Sequence, residues 1–412
     1  MEALREIEDL VAFEGRGPGT DAERRAADHL KRRLRALGRD TKVEPTRLFP
    51  NYALTHAIHA ALALAGSLVS LAQPAVGAGL VLLALVAMVG DLTGSFYLVR
   101  PLTGSRASQN VLSAEDGGKA GVLILTAHYD AARGGAVFRR KGLERQAALS
   151  RRLRIPIGPF QPLVWAILVV LACCAVRLTV TEDVLALDIV QFVATALLIV
   201  AIPLLLGIAL RPYVPGATDN GSGVATVLRL AERHGERLEH FDLWVLLPGS
   251  EEGLWVGMRQ FLKAHRHALD RERTIFLNVD MVGNGTVRYV LNEGLLFGYD
   301  FHPELVRLCD DIAEEDEENR YGARGIKRRI AGDGHAARLR GYPAISICCL
   351  NAMDYSPDYH QPTDTPDRVE PAALESAEAF VSELIERIDD ELGPELERLP
   401  PPERFEEEEA AA

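Results

Sequence analysis

A chain of 412 residues can build one large domain with insertions or two modest domains. Its formal net charge of −13 excludes the concentrated basic face that a nucleic-acid partner needs. Five cysteines, Cys173, Cys174, Cys309, Cys348 and Cys349, include two adjacent pairs inside apolar runs and no C-x-x-C. A disulfide framework is therefore not expected, and a reducing compartment is favoured.

The opening MEALREIEDL is acidic and amphipathic, without the basic start of a secretory signal, so no cleavage is expected. Asp21–Leu37 has helical periodicity and stops at Gly38, and Thr41–Leu48 reads as a strand. Two apolar stretches follow, Leu54–Ala72 and Ala75–Gly90, separated by a turn at Gln73–Pro74. Two more, Pro162–Val180 and Ile189–Leu210, flank the acidic turn Thr181–Asp188. Roughly 20 apolar residues cross a bilayer as a helix, and soluble helices normally keep a polar face, so the reading is four transmembrane helices in two hairpins. His56 and His59 make the first span the weakest, and Gln191 is the only polar interruption of the fourth. Between the hairpins, Arg139–Arg154 holds seven basic residues against Glu144 alone. By the positive-inside rule this predicts a multi-pass cell membrane protein with its polar part in the cytoplasm. The basic run reads as a juxtamembrane loop, either merely solvated or in contact with anionic lipid.

Outside the hairpins, strand-like and helix-like pieces alternate. Gly121–Ala127, Phe241–Leu247, Thr274–Val279 and Pro343–Leu350 are short continuous apolar runs typical of buried strands. Gly223–His234, Leu254–His267, His302–Asp316 and Pro371–Leu392 read as helices. The predicted fold is an α/β three-layer sandwich with a mixed, mostly parallel sheet, interrupted by the two hairpins. The implied organisation is one interrupted α/β domain with segments at 1–53, 100–159 (ending in the basic juxtamembrane loop) and 211–392, hairpins at 54–99 and 160–210, and a disordered acidic tail at 393–412.

Four apolar runs lead into chemistry. They precede His128 and Asp130, then Glu251 and Glu252, then Asp280, then the loop bearing His360. Asp219 follows a Gly-rich turn ahead of a helix that Asn220 or Ser222 would cap. Singly, each has a plainer reading: a core histidine, a solvated acid pair, a helix cap. Jointly, ligands placed beyond strand ends describe a crevice site. Imidazole and carboxylate donors without thiolate suit catalytic zinc. Five ligands serve two zincs if one carboxylate bridges.

H-Y-D, G-A-T-D-N-G-S-G, G-S-E-E-G, N-V-D-M-V-G and Y-H-Q-P-T-D-T, in this order, resemble the co-catalytic zinc aminopeptidase family, whose relatives include glutamate carboxypeptidases and glutaminyl cyclases. The opening G-R-G-P-G-T is similar too. The resemblance implies two Zn2+ per chain: one on His128 and Asp280, one on Glu252 and His360, with Asp219 bridging. It further implies Glu251 as general base toward the attacking water and Asp130 as the residue orienting His128. Asp333 and His335 resemble the family's Asp-His pair, but Gly334 separates them here, so they stand as substrate-side or supporting candidates. Tyr359 stands where glutaminyl cyclases typically have Trp. The expected function is a membrane-anchored aminopeptidase acting on a peptide substrate. A carboxypeptidase, a cyclase-like enzyme and a non-catalytic scaffold of the same fold are the alternatives.

Overall fold

The computed structural model describes residues 2–180, 182 and 184–396. Two helices open the chain, α1 (Glu2–Val11) and α2 (Asp21–Ala36), followed by strand β1 (Lys42–Leu48) and the apolar pair α3 (Tyr52–Val69) and α4 (Pro74–Leu92). Strands β2 (Arg106–Ser113) and β3 (Gly121–Thr126) precede helices α5 (Arg140–Leu153), α6 (Gln161–Arg177) and α7 (Leu185–Leu210). Then come α8 (Gly223–His234), β4 (Phe241–Leu247), α9 (Val256–Ala264), β5 (Thr274–Val279), β6 (Thr286–Glu293) and β7 (Tyr299–Asp300). The chain closes with α10 (Pro303–Glu315), β8 (Arg324–Lys327), α11 (Asp333–Leu339), β9 (Ala344–Leu350), α12 (Pro371–Arg387) and α13 (Gly393–Leu396).

Among the described residues the strands form one nine-stranded sheet in the order β1-β2-β4-β3-β5-β9-β6-β7, with β8 also on β6. The four central strands, β4-β3-β5-β9, are mutually parallel. Toward the edges β1, β2, β6 and β7 pair antiparallel and only β6–β8 is parallel, so the sheet is mixed and the predominance of parallel pairing expected from the sequence belongs to the centre. The reason is burial. The central runs are apolar on both faces, as a parallel strand covered by helices must be. The outer ones are mixed: Lys42–Leu48 alternates between exposed and buried positions. Along β5, Phe276 packs against Phe261 of α9 and Asn278 against Gly334 of α11, while α8 and α12 cover the other side.

Parallel strands end at the same edge, so residues beyond the carboxyl ends of β3, β4, β5 and β9 converge.

The helices α3, α4, α6 and α7 pack together as a bundle. Three of them, α3, α4 and α7, are long and apolar enough to cross a membrane. The remaining predicted span, the third, is the helix α6 of 17 residues, about 26 Å long at 1.5 Å per residue, short of the ~30 Å hydrocarbon core. Leu82, Val86, Trp165, Phe192 and Val200 point outward from the bundle. Its polar residues point inward instead. Gln191 donates to the Ser67 carbonyl (2.9 Å) and to Ser70 Oγ (2.9 Å), and Ser67 meets Thr195 at 2.7 Å. Small residues allow the close crossing: a Cβ on Gly77 would lie 2.4 Å from Ser70. The two histidines that weakened the first span are buried, His56 Nε2 lying 3.3 Å from Asp91.

Asp91 is the polar hub of this end of the bundle. Arg100, fully buried, holds it with two bonds of 2.6 and 3.0 Å and donates a third, of 2.7 Å, to the carbonyl of Gly253. The bundle is thereby tied to the loop after β4.

Two expectations need adjustment. The basic stretch 139–154 is not a loop: Arg140–Leu153 is a helix, started by an Arg140–Glu144 pair and closed by a left-handed Arg154. Of the tail expected from 393, Gly393–Leu396 is helical and the remainder lies outside the described residues.

Removing one partner of a buried ion pair leaves the other uncompensated, which costs about 3–5 kcal/mol, whereas replacing both is often nearly neutral. Arg100→Met should therefore lower the thermal unfolding midpoint sharply, and Asp91→Leu combined with Arg100→Met should recover most of it. Circular dichroism melts of the micelle-solubilised chain test this; equal destabilisation in both variants would contradict the assigned role.

Candidate active site

Five side chains meet at the carboxyl edge of the central strands. His128 follows β3, Glu252 follows β4, Asp280 follows β5, His360 sits in the loop after β9, and Asp219 precedes α8. His128, Asp219, Asp280 and His360 are buried and Glu252 partly so. Two triads of potential ligand atoms, each within 4.8 Å, form from this set: His128–Asp219–Asp280 and Asp219–Glu252–His360. Asp219 belongs to both. Its Oδ1 lies 3.3 Å from His128 Nε2 and its Oδ2 lies 3.2 Å from His360 Nε2. His128 Nε2 also approaches Asp280 Oδ1 (3.5 Å), and His360 Nε2 approaches Glu252 Oε1 (3.2 Å).

Those spacings fit a metal. Ligands about 2.0–2.1 Å from a tetrahedral zinc are about 3.3 Å apart. The electrostatics agree. Asp130, Asp219, Glu251, Glu252, Asp280 and Asp333 crowd one crevice, and burial together with neighbouring carboxylates raises the proton affinity of Glu251, Glu252 and Asp333, the last to about 8. Burial disfavours the charged form of both histidines as well, yet the surrounding acids outweigh it and raise His360 to about 10 and His128 well above the ordinary imidazole value. Burial likewise opposes ionisation of Asp219, but His128 and His360 hold its carboxyl below the usual range. A cluster that recruits protons onto imidazoles is one that accepts a multivalent cation in their place.

The neighbouring acids separate by backbone geometry. Glu251–Gly253 is a single tight turn, and Ser250 before it is left-handed (φ 59°). Glu252 faces Asp219 and His360, while the Glu251 carboxylate lies within 4.8 Å of the ligand atoms of His128 and Glu252. Asp130 clamps that turn: its two oxygens accept the amide N–H groups of Glu251 (3.0 Å) and Glu252 (3.1 Å), and Oδ1 lies 3.6 Å from His128 Nδ1. Asn220 caps α8 through the Gly223 N–H (3.0 Å), while Ser222 turns back to the Thr218 carbonyl (2.7 Å).

Asp333, at the start of α11, is buried near Asp280 but outside both triads, and neither of its oxygens finds a hydrogen bond among the described residues. His335 packs edge-on against Trp255 and beside Tyr299, each 5.5 Å between ring centres, and its buried Nδ1 has no hydrogen-bond partner among the described residues. Tyr359 stacks on His360 at 3.8 Å and lines the cavity beside the triads.

Three supporting residues escaped the sequence reading. Arg16, fully buried, donates to the carbonyls of Tyr129 (2.9 Å), Gly216 (2.6 Å) and Pro215, binding the His128 and Asp219 segments together. Asp364 accepts the N–H groups of Thr218 (2.7 Å) and Asp219 (3.0 Å). Glu23 joins Gly19 N–H (2.8 Å), Ser108 (2.8 Å) and Ser250 (3.1 Å). Arg16 and Asp364 lie inside quoted motifs, but no spacing signals their long-range bonds. A fourth, Tyr52, brings the first residue of α3 to the same cavity.

Burial raises Glu23 to about 8, against an ordinary value of 4.5, with Asp130 adding to the effect. Its stabilising contribution is therefore complete below pH 4.5 and is lost as pH rises through about 8. In chelator, the fall in unfolding midpoint between pH 6 and pH 9 should be smaller for Glu23→Gln than for the unmodified protein. An identical fall would remove Glu23 from this account.

Residues 206–385 match the model of Peptidase family M28. A stretch of 70 residues is 39% identical to the vacuolar membrane protease of Schizosaccharomyces japonicus; it is 17% of this chain and 8% of that protein's length. The fold is similar to Porphyromonas gingivalis glutaminyl cyclase, with TM-score 0.55, 12% identity and coverage of 94% and 97% of the two chains. It is likewise similar to a leucine aminopeptidase precursor from Bacteroides thetaiotaomicron, with TM-score 0.53, 13% identity and coverage of 93% and 96%.

Proposed function

We propose that this chain, which resembles the zinc metallopeptidases of family M28, is a membrane-anchored aminopeptidase using two zinc ions. In this reading one peptidase domain is interrupted by two transmembrane hairpins, and its polar part lies in the cytoplasm of a multi-pass protein. The observation that carries it is Asp219, which offers one oxygen to each histidine and so belongs to both ligand triads.

His128 and Asp280 would hold one ion, Glu252 and His360 the other, with Asp219 between them. Zinc supplies Lewis acidity that makes water a nucleophile near neutral pH and stabilises charge on a carbonyl oxygen. The remaining work belongs to the protein. Glu251, whose burial raises its proton affinity, takes the proton from the attacking water as the C–O bond forms. The same proton passes to the departing nitrogen as the C–N bond breaks, leaving a carboxylic acid and an amine, and the acid's remaining proton moves to the amine to give carboxylate and ammonium. Asp130 is a positioning residue: it fixes the amides of Glu251 and Glu252 and faces His128 Nδ1. The surplus of carboxylates, Asp333 among them, favours a substrate presenting an α-ammonium group.

One observation favours a second reading. Arg328 is buried, lines the same cavity and pairs with Glu293 at 2.7 Å, yet its Nη2 has no hydrogen-bond partner among the described residues. A free guanidinium nitrogen suits a carboxylate, as a carboxypeptidase would need.

Elemental analysis should find close to two zincs per purified chain. Glu251→Gln should lower kcat by about 10²- to 10⁴-fold with zinc content unchanged; a variant keeping more than a tenth of its activity would refute the base assignment. Asp130→Asn should weaken zinc binding by about 10- to 100-fold in a chelator competition. Acetylating the substrate's α-amino group should abolish cleavage, whereas amidating the α-carboxyl should leave it intact; the opposite pattern selects the carboxypeptidase reading.

A further inference from the structure

The crevice does not end at the triads. From His128, Asp219, Glu252 and His360 it widens into a chamber of about 810 Å³. Phe138, Tyr359 and Tyr52 line it, and so do Leu163 of α6 and Ala201, Leu205 and Ile208 of α7, two helices of the bundle. That volume lies near the upper end of the ~300–1,000 Å³ range for cavities that engulf a drug-sized ligand, well beyond one side chain. Its exposed lining is mixed, with apolar side chains beside Arg145, Arg151 and Arg154. Val137, Leu149, Ile155 and Leu204 line the chamber while remaining 36%, 47%, 56% and 37% exposed. Leu204 lies six residues before the end of α7, which at 1.5 Å per residue sets the opening about 9 Å down the helix from that end.

Helix α5 roofs the chamber. It has no buried residue, and it carries Arg140, Lys141, Arg145, Arg151 and Arg152 together with Leu143, Leu149 and Leu153. Basic side chains on a helix that exposes leucines are the pattern of a helix lying in the headgroup layer. It is held in place over the cavity: Gln146 donates to the Ile157 carbonyl (2.7 Å), Tyr355 donates to Glu144 (3.1 Å) and Arg151 donates to the Ala352 carbonyl (3.3 Å).

We propose that this chamber receives, from the bilayer side, the apolar segment that follows the free N-terminus of a membrane-derived peptide, with α5 as its interfacial roof. The inference rests on the aminopeptidase reading for the identity of the occupant. The two ends of the chamber select that occupant together. The inner end is lined by four carboxylates, Asp219, Glu251, Glu252 and Asp280, against Arg328, whose charge Glu293 already engages; the net negative charge attracts an α-ammonium group in preference to an anionic lipid head. The rest of the lining is largely apolar, with the buried Leu163, Leu205 and Ile208 of α6 and α7 and the exposed Leu204, and Arg145, Arg151 and Arg154 add positive charge there. Each buried side chain of leucine size is worth about tenfold or more in affinity, so a peptide with two or three apolar residues behind its N-terminus gains strongly over a polar one.

The test uses the full chain as the zinc-loaded Glu251→Gln variant, in nanodiscs of phosphatidylcholine and phosphatidylglycerol. Two dansyl octapeptides with free N-termini are compared, one Leu/Ala-rich and one Ser/Gln-rich, against empty nanodiscs. The apolar peptide should bind at least tenfold more tightly, and Ala147→Trp and Ala201→Trp, which fill the chamber from opposite walls, should each weaken it at least tenfold. Leu149→Trp should add tryptophan fluorescence that brominated lipid quenches. Equal binding of the two peptides, affinity unchanged in both filled variants, or no quenching would overturn the proposal. So would oleate displacing the apolar peptide while its N-acetylated form binds as well as the free one, which would make the occupant an acyl chain. Parallel turnover by the unmodified chain separates the two readings. Soluble aminoacyl reporters cleaved without any apolar preference sink the chamber alone. Apolar binding with no cleavage of any peptide sustains the chamber and sinks the peptidase.

Discussion

Six carboxylates share one crevice that excludes most water: Asp130, Asp219, Glu251, Glu252, Asp280 and Asp333. Charges so close in a low-dielectric setting cannot all ionise without compensation. The structure meets this constraint in layers. Arg16, buried beneath the loops, supplies one fixed positive charge, although burial itself lowers its pKa to about 10. Backbone amides supply partial positive charge to Asp130 and Asp364. His128 and His360 stand ready to take protons. What remains is a deficit located between the two triads, and divalent cations there would offset it. Strand polarity, the Arg16 anchor and the tight turn at Glu251 all serve to hold anions together that would otherwise separate.

Much of this was legible in the sequence, and the boundary is physical. The central strands announce themselves because a strand buried on both faces must be continuously apolar, and β4 and β5 run over the predicted residues. Their carboxyl ends carry the candidate ligands, so the convergence follows from the parallel arrangement alone. Strand β2 was not legible. Its buried Ser108 and Asn110 break the apolar pattern of a strand, and they are satisfied by Glu23, by the Gly249 N–H (3.2 Å) and by the Gly257 carbonyl (2.9 Å). Such partners lie more than 80 positions away and leave no local pattern. Nor could spacing show that Ser250, Met281 and His360 adopt left-handed backbone, with φ of 59°, 56° and 53°. Non-glycine residues rarely do so, and when they cluster around a site the surrounding contacts are what hold them.

The helical bundle is coupled to the site and is not a passive appendage. Arg100 connects Asp91 in α4 to the carbonyl of Gly253, one residue beyond Glu252. Tyr52 projects from the first turn of α3 into the cavity, and Leu205 and Ile208 of α7 line it. Two polar features that weaken the first and second spans as sequence, the histidine pair and Asp91, thus acquire a structural cause: they face inward toward Arg100. Polar groups at membrane depth are retained where they pair with one another.

An inserted hairpin between two residues of one site should loosen that site, since Asp130 and Asp219 are separated by three helices. The chain avoids this by closing the insert at its neck. Gly134 N–H reaches the Pro212 carbonyl (3.2 Å), Val214 N–H reaches the Ala132 carbonyl (2.9 Å), and Arg133 lies 4.2 Å above the Tyr213 ring. Ala131 N–H is anchored on the Arg16 carbonyl (3.1 Å), and the Arg16 guanidinium holds Pro215 and Gly216 on the other side. Closing a flexible loop costs only about 0.6 kcal/mol more for each doubling of its length, so a neck of a few such bonds suffices whatever is inserted beyond it. Because the neck lies next to His128 and Asp219, it fixes two things at once: the ligand geometry on its inner side and the distance to α7 on its outer side. The same bonds bring the site close to the bundle.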